Sequence, residues 1–317
     1  MKCRVCRQPA VIDVPRHNAN FCVEHFIEQC ERQVTKAIAG FDMMQPTDKV
    51  LVAVSGGKDS LALWDLLIRL GYRTEGLYLG LGIGEYSDAS GDYARRFAID
   101  RGLVLHQVEL RDRFDYDIPQ AAAATRRVPC SACGLSKRHL FDRVAREQSF
   151  DVVATGHNLD DEAAVLFGNV LRWQTEYLAR QLPVLPAGNG FPRKVKPLVR
   201  LSEREMAAYC IVQGIDYQVE ECPMAAGNKH LGYKEALNAV EERSPGTKHD
   251  FYFGFLERAA AQFRLGQVTA ADALHPCQRC GAPTPGEVCA FCRLVERAGG
   301  HGQPDDVAVT LGRRSTS

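Results

Sequence analysis

Three features that would identify a membrane, secreted or generally nucleic-acid-binding protein are missing from this sequence. No hydrophobic run is long enough to cross a membrane, and residues 1–4 do not begin a secretory signal. Neither sign of charge dominates, because 39 lysines and arginines balance 39 aspartates and glutamates. We therefore expect a cytoplasmic protein without a membrane partner, in which any basic surface is local. Its 317 residues suffice for one large domain with small appendages.

Two common nucleotide-binding patterns are also missing, although one loop has the chemistry for holding phosphate. Residues 55–60 read Ser-Gly-Gly-Lys-Asp-Ser, which is neither a Walker A loop nor a Rossmann fingerprint. An apolar run at residues 50–54 precedes the loop and a helical pattern follows it, as at a buried parallel strand that leads into a helix. The two glycines let the backbone approach a ligand, and the free N–H groups of the first helical turn together with Lys58 favour phosphate oxygens.

Strand and helix patterns alternate along the following 100 or so residues. Strand patterns occur at residues 50–54, 75–79, 103–108 and 151–155, and helical patterns at residues 60–70 and 89–101. This alternation predicts an α/β fold with a doubly wound, mostly parallel sheet, whose ligands bind beyond the carboxyl ends of the strands. We expect the glycines between residues 80 and 84 to form a simple loop.

The fourth strand pattern leads into a polar turn that belongs to the same crevice. Gly156 permits close approach of the backbone, and Asp160 and Asp161 stand at the predicted start of a helix that ends at Leu171. Carboxylates at this position can simply cap the helix, but beside a triphosphate they would bind Mg²⁺. We favour the functional role for Asp161, and we interpret His157 as a turn residue.

Twelve cysteines are many for such a protein, and most occur in C-x-x-C pairs. In a chain without a secretion signal, these pairs indicate metal ligands in a reducing compartment rather than disulfides. The first group has the spacing of a closed tetrahedral zinc site and comprises Cys3, Cys6, Cys22 and His25. The last group lies within 16 residues and predicts a zinc ribbon with the ligands Cys277, Cys280, Cys289 and Cys292.

The middle pair, Cys130 and Cys133, opens a predicted helix among basic residues. The helix dipole and these cations should lower the pKa of both thiols. We take Cys222, in a predicted loop, as the third member, whereas Cys210 lies inside a helix with a capping box and is interpreted as core. Three thiolates leave one coordination position free, which in iron–sulfur chemistry means a cluster with one open iron. A redox dithiol or a third zinc site remains an alternative.

Two further stretches carry charge without a recognisable motif. Residues 193–200 contain four basic side chains, which predict a solvated face or contacts with nucleic-acid phosphates. A Pro-Gly turn within residues 244–249 precedes the last helix of the main domain, which Lys248 opens. The polar tail from residue 298 is predicted to be disordered.

The loop at residues 55–60 resembles the PP-loop of the ATP-pyrophosphatase superfamily, which cleaves ATP between the α and β phosphates and adenylates a carbonyl oxygen. With its cysteine groups, the chain resembles the TtcA/TtuA/Ctu tRNA-thiolation family, most like the TtuA type, over nearly its whole length. We therefore expect an adenine nucleotide alpha hydrolase-like fold flanked by two small zinc-binding modules. The expected units are a zinc finger at residues 1–28, a catalytic domain at 29–265, a zinc ribbon at 272–297 and a tail at 298–317.

The resemblance also implies functional residues, cofactors and partners. ATP binding is implied for Ala53, Ser55, Gly56, Gly57, Lys58, Asp59, Ser60, Leu79, Lys137, Gly156 and Asp161. Catalytic roles are implied for Asp59, Lys137, Asp161 and the [4Fe-4S] ligands Cys130, Cys133 and Cys222. The implied cofactors are that cluster, two Zn²⁺ ions and Mg²⁺. The implied partners are tRNA, a ubiquitin-like sulfur-carrier protein with a C-terminal thiocarboxylate, and a second copy of the chain in a homodimer.

The reaction implied by this resemblance is the 2-thiolation of a tRNA uridine. The C2 oxygen attacks the α-phosphate of ATP, which gives an adenylated base and pyrophosphate, while Lys58 and Lys137 neutralise the developing charge. Sulfide held on the open iron then attacks C2 and expels AMP. Arg126, Arg127 and Arg138 would steer the tRNA or the acidic tail of the carrier. We expect the T-loop 5-methyluridine as substrate, with the anticodon wobble uridine as the alternative.

Three other interpretations remain open at this stage. In the first, Cys130 or Cys222 carries a persulfide that Cys133 resolves, and no cluster is present. The second is an amide-forming PP-loop ligase that uses ammonia, which the chain fits less well because it has no glutaminase domain. The third is a zinc-ribbon RNA-binding or scaffold protein with an inactive ATP site, against which the intact loop at residues 55–60 argues.

Overall fold

A computed structural model describes residues 1–126, 128–225, 227, 229–265 and 274–300 of the chain. The tail predicted from residue 298 therefore lies outside the described residues from residue 301 onward, and so does Arg127. Within the described part of the chain, no helix has both the length and the apolar character that crossing a membrane requires.

The helices and strands follow one another in a largely alternating order. The strands are β1 Ile12–Val14, β2 Ala19–Phe21, β3 Lys49–Val54, β4 Arg73–Gly80, β5 Leu105–Glu109, β6 Val152–Thr155, β7 Val184–Leu185, β8 Arg193–Val195, β9 His275–Pro276 and β10 Pro283–Thr284. The first helices are α1 Val23–Gly40, α2 Lys58–Arg69, α3 Gly84–Asp100, α4 Leu110–Phe114, α5 Ile118–Thr125, α6 Pro129–Glu147 and α7 Leu159–Leu171. The remaining helices are α8 Thr175–Leu178, α9 Glu203–Val212, α10 Lys229–Arg243, α11 Thr247–Arg258, α12 Ala260–Leu265 and α13 Ala290–Arg297.

Six strands form the central sheet in the order β5-β4-β3-β6-β8-β7. All neighbouring pairs are parallel except β7 with β8, so the prediction of a mostly parallel, doubly wound sheet is confirmed. Side chains of β3 alternate between two cores, because Val50 and Val52 join the core on one face and Leu51 joins the core on the other. The order of the strands reverses between β3 and β6, which opens a crevice at their carboxyl ends.

The segment after β4 differs from the simple loop predicted at residues 80–84. Gly80 still belongs to the strand, where a Cβ atom would overlap the carboxylate of Glu109. The next helix begins at Gly84, five residues before its predicted start at residue 89. The Ser87 hydroxyl accepts the N–H of Ile83 at 2.9 Å, so a polar side chain inside the helix supports its early start.

The N-terminal hairpin β1–β2 packs on the start of α9 through charged groups. Arg16 donates from Nη2 to both carboxylate oxygens of Glu205, at 2.9 Å each. The side chains of this ion pair are only 7% and 3% exposed. Arg204 forms a second pair in the opposite direction with Asp13, but this one lies at the surface. One buried and one exposed ion pair therefore add to the apolar contacts that both strands of the hairpin make with the core of the main domain.

We expect Arg16→Met to lower the free energy of unfolding by about 3 kcal/mol or more, because it leaves the buried Glu205 carboxylate without its cation. Arg204→Met, which breaks the exposed pair with Asp13, is the matched control and should cost less than about 1 kcal/mol. Urea denaturation followed by circular dichroism measures both variants. Equal losses in the two variants would show that burial of the Arg16 pair has no special effect.

The C-terminal segment packs on α5 and α6 through the apolar face of α13. Phe291 stacks on the ring of His139, with 4.0 Å between the ring centroids. Burial lowers the pKa of His139 to about 4, so its ring is neutral at physiological pH and suits this apolar contact. Gln120 adds a hydrogen bond from its side-chain nitrogen to the carbonyl of Ala298, at 2.7 Å.

The basic stretch at residues 193–200 is not the solvated face that the sequence predicts. Each basic side chain has a partner within the fold, because the stretch includes β8, which lies between β6 and β7 in the sheet. The partners are Asp142 for Lys194 at 2.7 Å, Glu162 for Lys196 at 2.7 Å, the Asp42 carbonyl for Arg193 at 3.0 Å and Gln33 for Arg200 at 3.2 Å.

Candidate active site

A cavity of about 300 Å³ opens at the carboxyl ends of β3, β4 and β6. Seven of the predicted ATP-binding residues line it: Ala53, Ser55, Asp59, Ser60, Leu79, Lys137 and Gly156. Tyr86 and Phe141 add aromatic surface, and His157, which the sequence assigns to a turn, also lines the cavity. The lining combines apolar and aromatic side chains with several polar groups, which suits a nucleoside that carries phosphates. Gly56, Gly57, Lys58 and Asp161 are not among the lining residues.

The loop at residues 55–60 is held in a tight turn by its own serines. Ser60 donates from its hydroxyl to the carbonyl of Gly57 at 2.9 Å and accepts the N–H of Ser55 at 3.1 Å. Gly56 has a φ of +77°, and a Cβ atom there would lie 2.2 Å from the carbonyl oxygen of Ser90. Gly156 approaches from β6 so closely that its Cβ would lie 3.0 Å from the backbone nitrogen of Ser60. The glycines therefore let three backbone segments meet beside the cavity.

Gly56→Ala is expected to weaken the binding of ATP analogues about tenfold or more, because the left-handed backbone and the overlap with Ser90 force the loop to move. Gly57→Ala is the matched control, since φ is negative there and the nearest atom to a new Cβ, the Ser55 hydroxyl, is 3.5 Å away. Calorimetric titration measures both variants. Equal affinities in both variants would contradict a requirement for the observed loop geometry.

Asn158 joins the two predicted aspartates of the site. Its side-chain nitrogen donates to Asp59 at 2.9 Å, while its side-chain oxygen accepts the N–H of Asp161 at 3.0 Å. Asp161 in turn accepts the N–H of Asn158 at 3.1 Å, which completes a capping box at the start of α7. Asp161 therefore does cap its helix, and the same contacts hold it close to the phosphate loop. The Asn-x-x-Asp spacing is the sequence signal that could have identified Asn158.

Two lysines share one carboxylate at the edge of the loop. The Nζ atom of Lys58 lies 2.7 Å from one oxygen of Glu203 and 3.2 Å from Asp59. The Nζ atom of Lys234 lies 3.1 Å from the other oxygen of Glu203 and 2.6 Å from Asp161. Neither Lys234 nor Glu203 was predicted from the sequence, because no local motif distinguishes them from other charged residues on helices.

Attraction between the carboxylates and the lysines keeps Glu203 and Lys234 ionised, although burial disfavours their charges. Burial opposes ionisation of Glu203, but hydrogen bonds and charges of Lys58 and Lys234 lower its pKa to about 2. Burial likewise acts against the charge of Lys234, yet Asp161 and Glu203 raise its pKa. Burial raises the pKa of Asp59, although Lys58 and Asn158 partly offset this effect. Glu203 and both lysines are therefore charged at neutral pH.

One face of α6 connects the cavity with the middle cysteines. Cys130, Cys133, Lys137 and Phe141 follow one another at spacings of three or four residues, so they share one face of the helix. Lys137 and Phe141 line the cavity, and the two cysteines continue the same face toward the start of the helix. The loop that carries Cys222 reaches this end of α6, because the Sγ atom of Cys130 lies 3.9 Å from the carbonyl oxygen of Met224.

The environment of these thiols corrects one expectation. Burial raises the pKa of Cys133, and the nearby Lys137 and Arg138 only partly offset this effect, so its pKa is not lowered as the sequence predicts. Burial, together with the neighbouring thiols of Cys222 and Cys133, also raises the pKa of Tyr86. Tyr86 lines the cavity and packs in the same apolar cluster as Cys133 and Cys222. Cys210 is fully buried and burial raises its pKa to about 12, which confirms its interpretation as core.

The terminal cysteine groups are more compact than the middle one. Among the described residues, two groups bring four possible metal ligands within 4.8 Å of one another: Cys3, Cys6, Cys22 and His25, and Cys277, Cys280, Cys289 and Cys292. Backbone N–H groups support the second group, as when Cys289 donates to the sulfur of Cys277 at 3.2 Å. The thiols of Cys130, Cys133 and Cys222 are spaced more widely. This difference fits ligands of separate irons in a cluster, whereas four ligands of one ion must converge.

Lys248, at the end of the predicted Pro-Gly turn, is used inside the fold. It forms a buried ion pair with Asp160 and donates to the side chain of Asn238 at 2.6 Å. Asp160 also accepts the backbone N–H of Glu203 at 2.9 Å. Lys248 therefore positions the start of α9 through Asp160, close to the contact of Glu203 with Lys58 and Lys234. It does not line the cavity at the carboxyl ends of β3, β4 and β6.

Comparison with known proteins identifies the family. Residues 2–27 match the model of the N-terminal LIM domain of 2-thiouridine synthetase TtuA. The tRNA-5-methyluridine(54) 2-sulfurtransferase of Thermus thermophilus is 51% identical over 93% of this chain and 91% of its own length. The chain belongs to the tRNA-5-methyluridine(54) 2-sulfurtransferase family. The enzyme of the same name from Pyrococcus horikoshii is 42% identical over 93% of each chain.

Membership of the tRNA-5-methyluridine(54) 2-sulfurtransferase family confirms the resemblance noted from the motifs and makes the protein a transferase. Among solved structures, the U34-tRNA thiolase NcsA from Methanococcus maripaludis, determined with its [4Fe-4S] cluster, matches with a TM-score of 0.76. The two sequences are 26% identical, and the match covers 93% of this chain and 96% of NcsA. The fold of this 2-sulfurtransferase family member is thus that of a PP-loop thiolase.

Proposed function

We propose that this protein catalyses the ATP-dependent 2-thiolation of 5-methyluridine 54 in tRNA. The observation that carries the proposal is the single face of α6, on which Cys130 and Cys133 continue the row of Lys137 and Phe141 beside the nucleotide cavity. A base adenylated in the cavity would lie within reach of a sulfur source at the cysteines. The 51% identity to an enzyme of this name supports the choice of substrate.

The residues around the cavity have separate tasks in this reaction. The loop at residues 55–60 binds the phosphates of ATP through its N–H groups and Lys58, and the backbone at Ala53 and Leu79 flanks the adenine. The uridine C2 oxygen attacks the α-phosphate and pyrophosphate leaves, while Lys137 stabilises the added charge. Asp59 and Asp161 would hold the Mg²⁺ ion that accompanies the triphosphate, and the ion would neutralise charge on the phosphates. Sulfide then attacks C2, a C–S bond forms, and the C2–O bond breaks so that the oxygen leaves with AMP.

Cys130, Cys133 and Cys222 fit the ligand set of a [4Fe-4S] cluster. Cys130 and Cys133 share one face of α6, the Cys222 loop contacts Cys130 through the Met224 carbonyl, and the three thiols do not all converge within 4.8 Å as the two terminal groups do. A cluster with three cysteine ligands supplies one iron that is open to an exogenous sulfur ligand. The [4Fe-4S] cluster of the similar thiolase NcsA supports this assignment. Cys133 and Cys222 are half-buried among apolar neighbours, whereas Cys130 is exposed.

The remaining components follow from the same proposal. The terminal groups bind one Zn²⁺ each, within a finger at residues 1–28 and a ribbon at residues 272–297, and the catalytic domain comprises residues 29–265. A ubiquitin-like carrier with a C-terminal thiocarboxylate delivers the sulfur, and the active protein is a homodimer in the cytoplasm. Arg126 and Arg138 are exposed near the cysteines, where they can attract the tRNA or the carrier tail.

The proposal is tested with the reconstituted protein, ATP, sulfide and tRNA that contains 5-methyluridine at position 54. Mass spectrometry of digested tRNA should detect 2-thio-5-methyluridine only when ATP is present. A tRNA with unmodified position 54 and a tRNA with a wobble uridine serve as competing substrates. Absence of any thiolated nucleoside, with cluster and zinc both present, would reject the proposal.

A second candidate is 2-thiolation of the wobble uridine at position 34. The structural match to the U34-tRNA thiolase NcsA favours it specifically. Both reactions use the same adenylation chemistry, so the cavity residues do not distinguish them. Thiolation of position 34 in the competition experiment, without thiolation of position 54, would replace the first candidate with this one.

A further inference from the structure

Glu203 contacts two lysines that belong to two other helices, so this contact does not stabilise any single helix. Lys58 is the first residue of α2 and Glu203 the first residue of α9, while Lys234 belongs to α10. Three separate elements therefore bring two ammonium groups to the two oxygens of one carboxylate, at 2.7 and 3.1 Å. Two cations that converge on one anion beside a phosphate-binding loop form a ready site for a larger anion.

The local charges do not suit a triphosphate while Glu203 stays in place. Lys58 and Lys234 contact three carboxylates, those of Asp59, Asp161 and Glu203. Asp59 and Asp161 can be neutralised by the metal ion that accompanies ATP. Among the residues that the structure describes, the cations paired with Glu203 are the two lysines, so Glu203 competes directly with phosphate oxygens for them.

The side chain of Glu203 also has space to move away from the two lysines. Its side chain is 37% exposed, the largest exposed fraction among the five groups of the network. It lines a second cavity of about 670 Å³, between α9 and α10, which Lys58 also lines. A change of side-chain rotamer into this space would free both lysines without movement of the helix backbone.

We propose that Lys234 binds the β- and γ-phosphates of ATP together with Lys58, and that Glu203 takes the place of these phosphates when the site holds no nucleotide. This inference rests on the proposed use of ATP. Lys234 thereby becomes a substrate-binding residue supplied by α10, far in sequence from the phosphate loop. Glu203 acts as an internal competitor that keeps both lysines in position.

The test is calorimetric titration with α,β-methylene-ATP in the presence of Mg²⁺, and with AMP. Lys234→Met should weaken binding of the ATP analogue about tenfold or more, because a charge-assisted contact to phosphate is lost. Binding of AMP should not change, since AMP has neither the β- nor the γ-phosphate. Glu203→Gln should bind the ATP analogue about threefold or more tightly than the parent, because a competing state is removed.

Lys229→Met, which removes an exposed lysine from the same helix, is the matched control and should match the parent. Lys234→Arg keeps the charge and should restore much of the affinity, and thermal unfolding shows whether each variant is folded. Unchanged affinity in Lys234→Met, or equal losses for the analogue and AMP, would overturn the inference alone. Weaker binding by Glu203→Gln would instead make Glu203 a metal ligand and overturn its role as competitor. A parent protein that does not bind the analogue would reject the proposed ATP chemistry as well.

Discussion

Protein purified without oxygen is expected to contain about four irons and two zincs per chain, and Cys222→Ala is expected to lose the iron while it keeps the zinc. A cluster with only two cysteine ligands, Cys130 and Cys133, would be too weakly held to survive purification. Thiolation should therefore fall below detection in the variant. The zinc should remain because its predicted ligands belong to the two terminal groups.

Metal analysis, acid-labile sulfide and the visible absorption spectrum measure this outcome. Cys210→Ala is the matched control, because Cys210 is a fully buried core residue that should lose stability but not iron. Zinc without iron, even after reconstitution with iron and sulfide, would contradict the cluster. The cysteine-persulfide route, with Cys133 as the resolving thiol, would then become the leading interpretation of the same three residues.

The second large effect is expected for Asp161→Asn, which should reduce tRNA-dependent pyrophosphate release about a hundredfold or more. The substitution removes the negative charge of Asp161, which we propose as a ligand of Mg²⁺ and which forms an ion pair with Lys234. An asparagine can still accept the N–H of Asn158, so the capping box at the start of α7 is largely kept. The free energy of unfolding should therefore change by less than about 1 kcal/mol.

Asp161→Asn separates the two interpretations of this carboxylate. If Asp161 only caps α7, pyrophosphate release should stay near the parent rate. Asp117→Asn provides the comparison, because Asp117 caps α5 by accepting the N–H of Gln120 at 2.7 Å and does not line the nucleotide cavity. Nearly normal rates in both variants would leave Asp161 with a structural role and would remove it from the proposed metal site.

The strands that carry the site could be predicted from sequence because their signals are local. The run at residues 50–54 is apolar at every position, as expected for a strand buried on both faces, and it became the central strand β3. The start of α3 was harder to predict, because Gly84 and Ser87 do not resemble the start of a helix. Contacts with β4 and the hydrogen bond from Ile83 to Ser87 set this boundary.

The residues of the candidate site likewise include some that sequence motifs predict and others that only tertiary packing brings together. The loop at residues 55–60 and the cysteine pairs are short motifs with a fixed spacing, so the sequence alone predicts them as ligand-binding sites. Lys234 and Glu203 are in contact although their helices are distant in sequence from the loop at residues 55–60, and neither residue belongs to a recognisable motif. The partial burial of Cys133 likewise depends on packing. It raises the pKa of this thiol, whereas the sequence predicts a lowered pKa.

The sequence by itself determined the fold class and the family to which the chain belongs, and its motifs predicted a phosphate site at residues 55–60 and three groups of cysteine ligands. These features depend on residue type and local spacing, which tertiary contacts do not alter. Only the tertiary structure decided that the basic stretch at residues 193–200 pairs internally, that Asp161 joins Asn158 and Lys234, and that Glu203 holds two lysines. Charged side chains find their partners through long-range packing, and a linear sequence carries no record of which opposite charge comes within 3 Å or so.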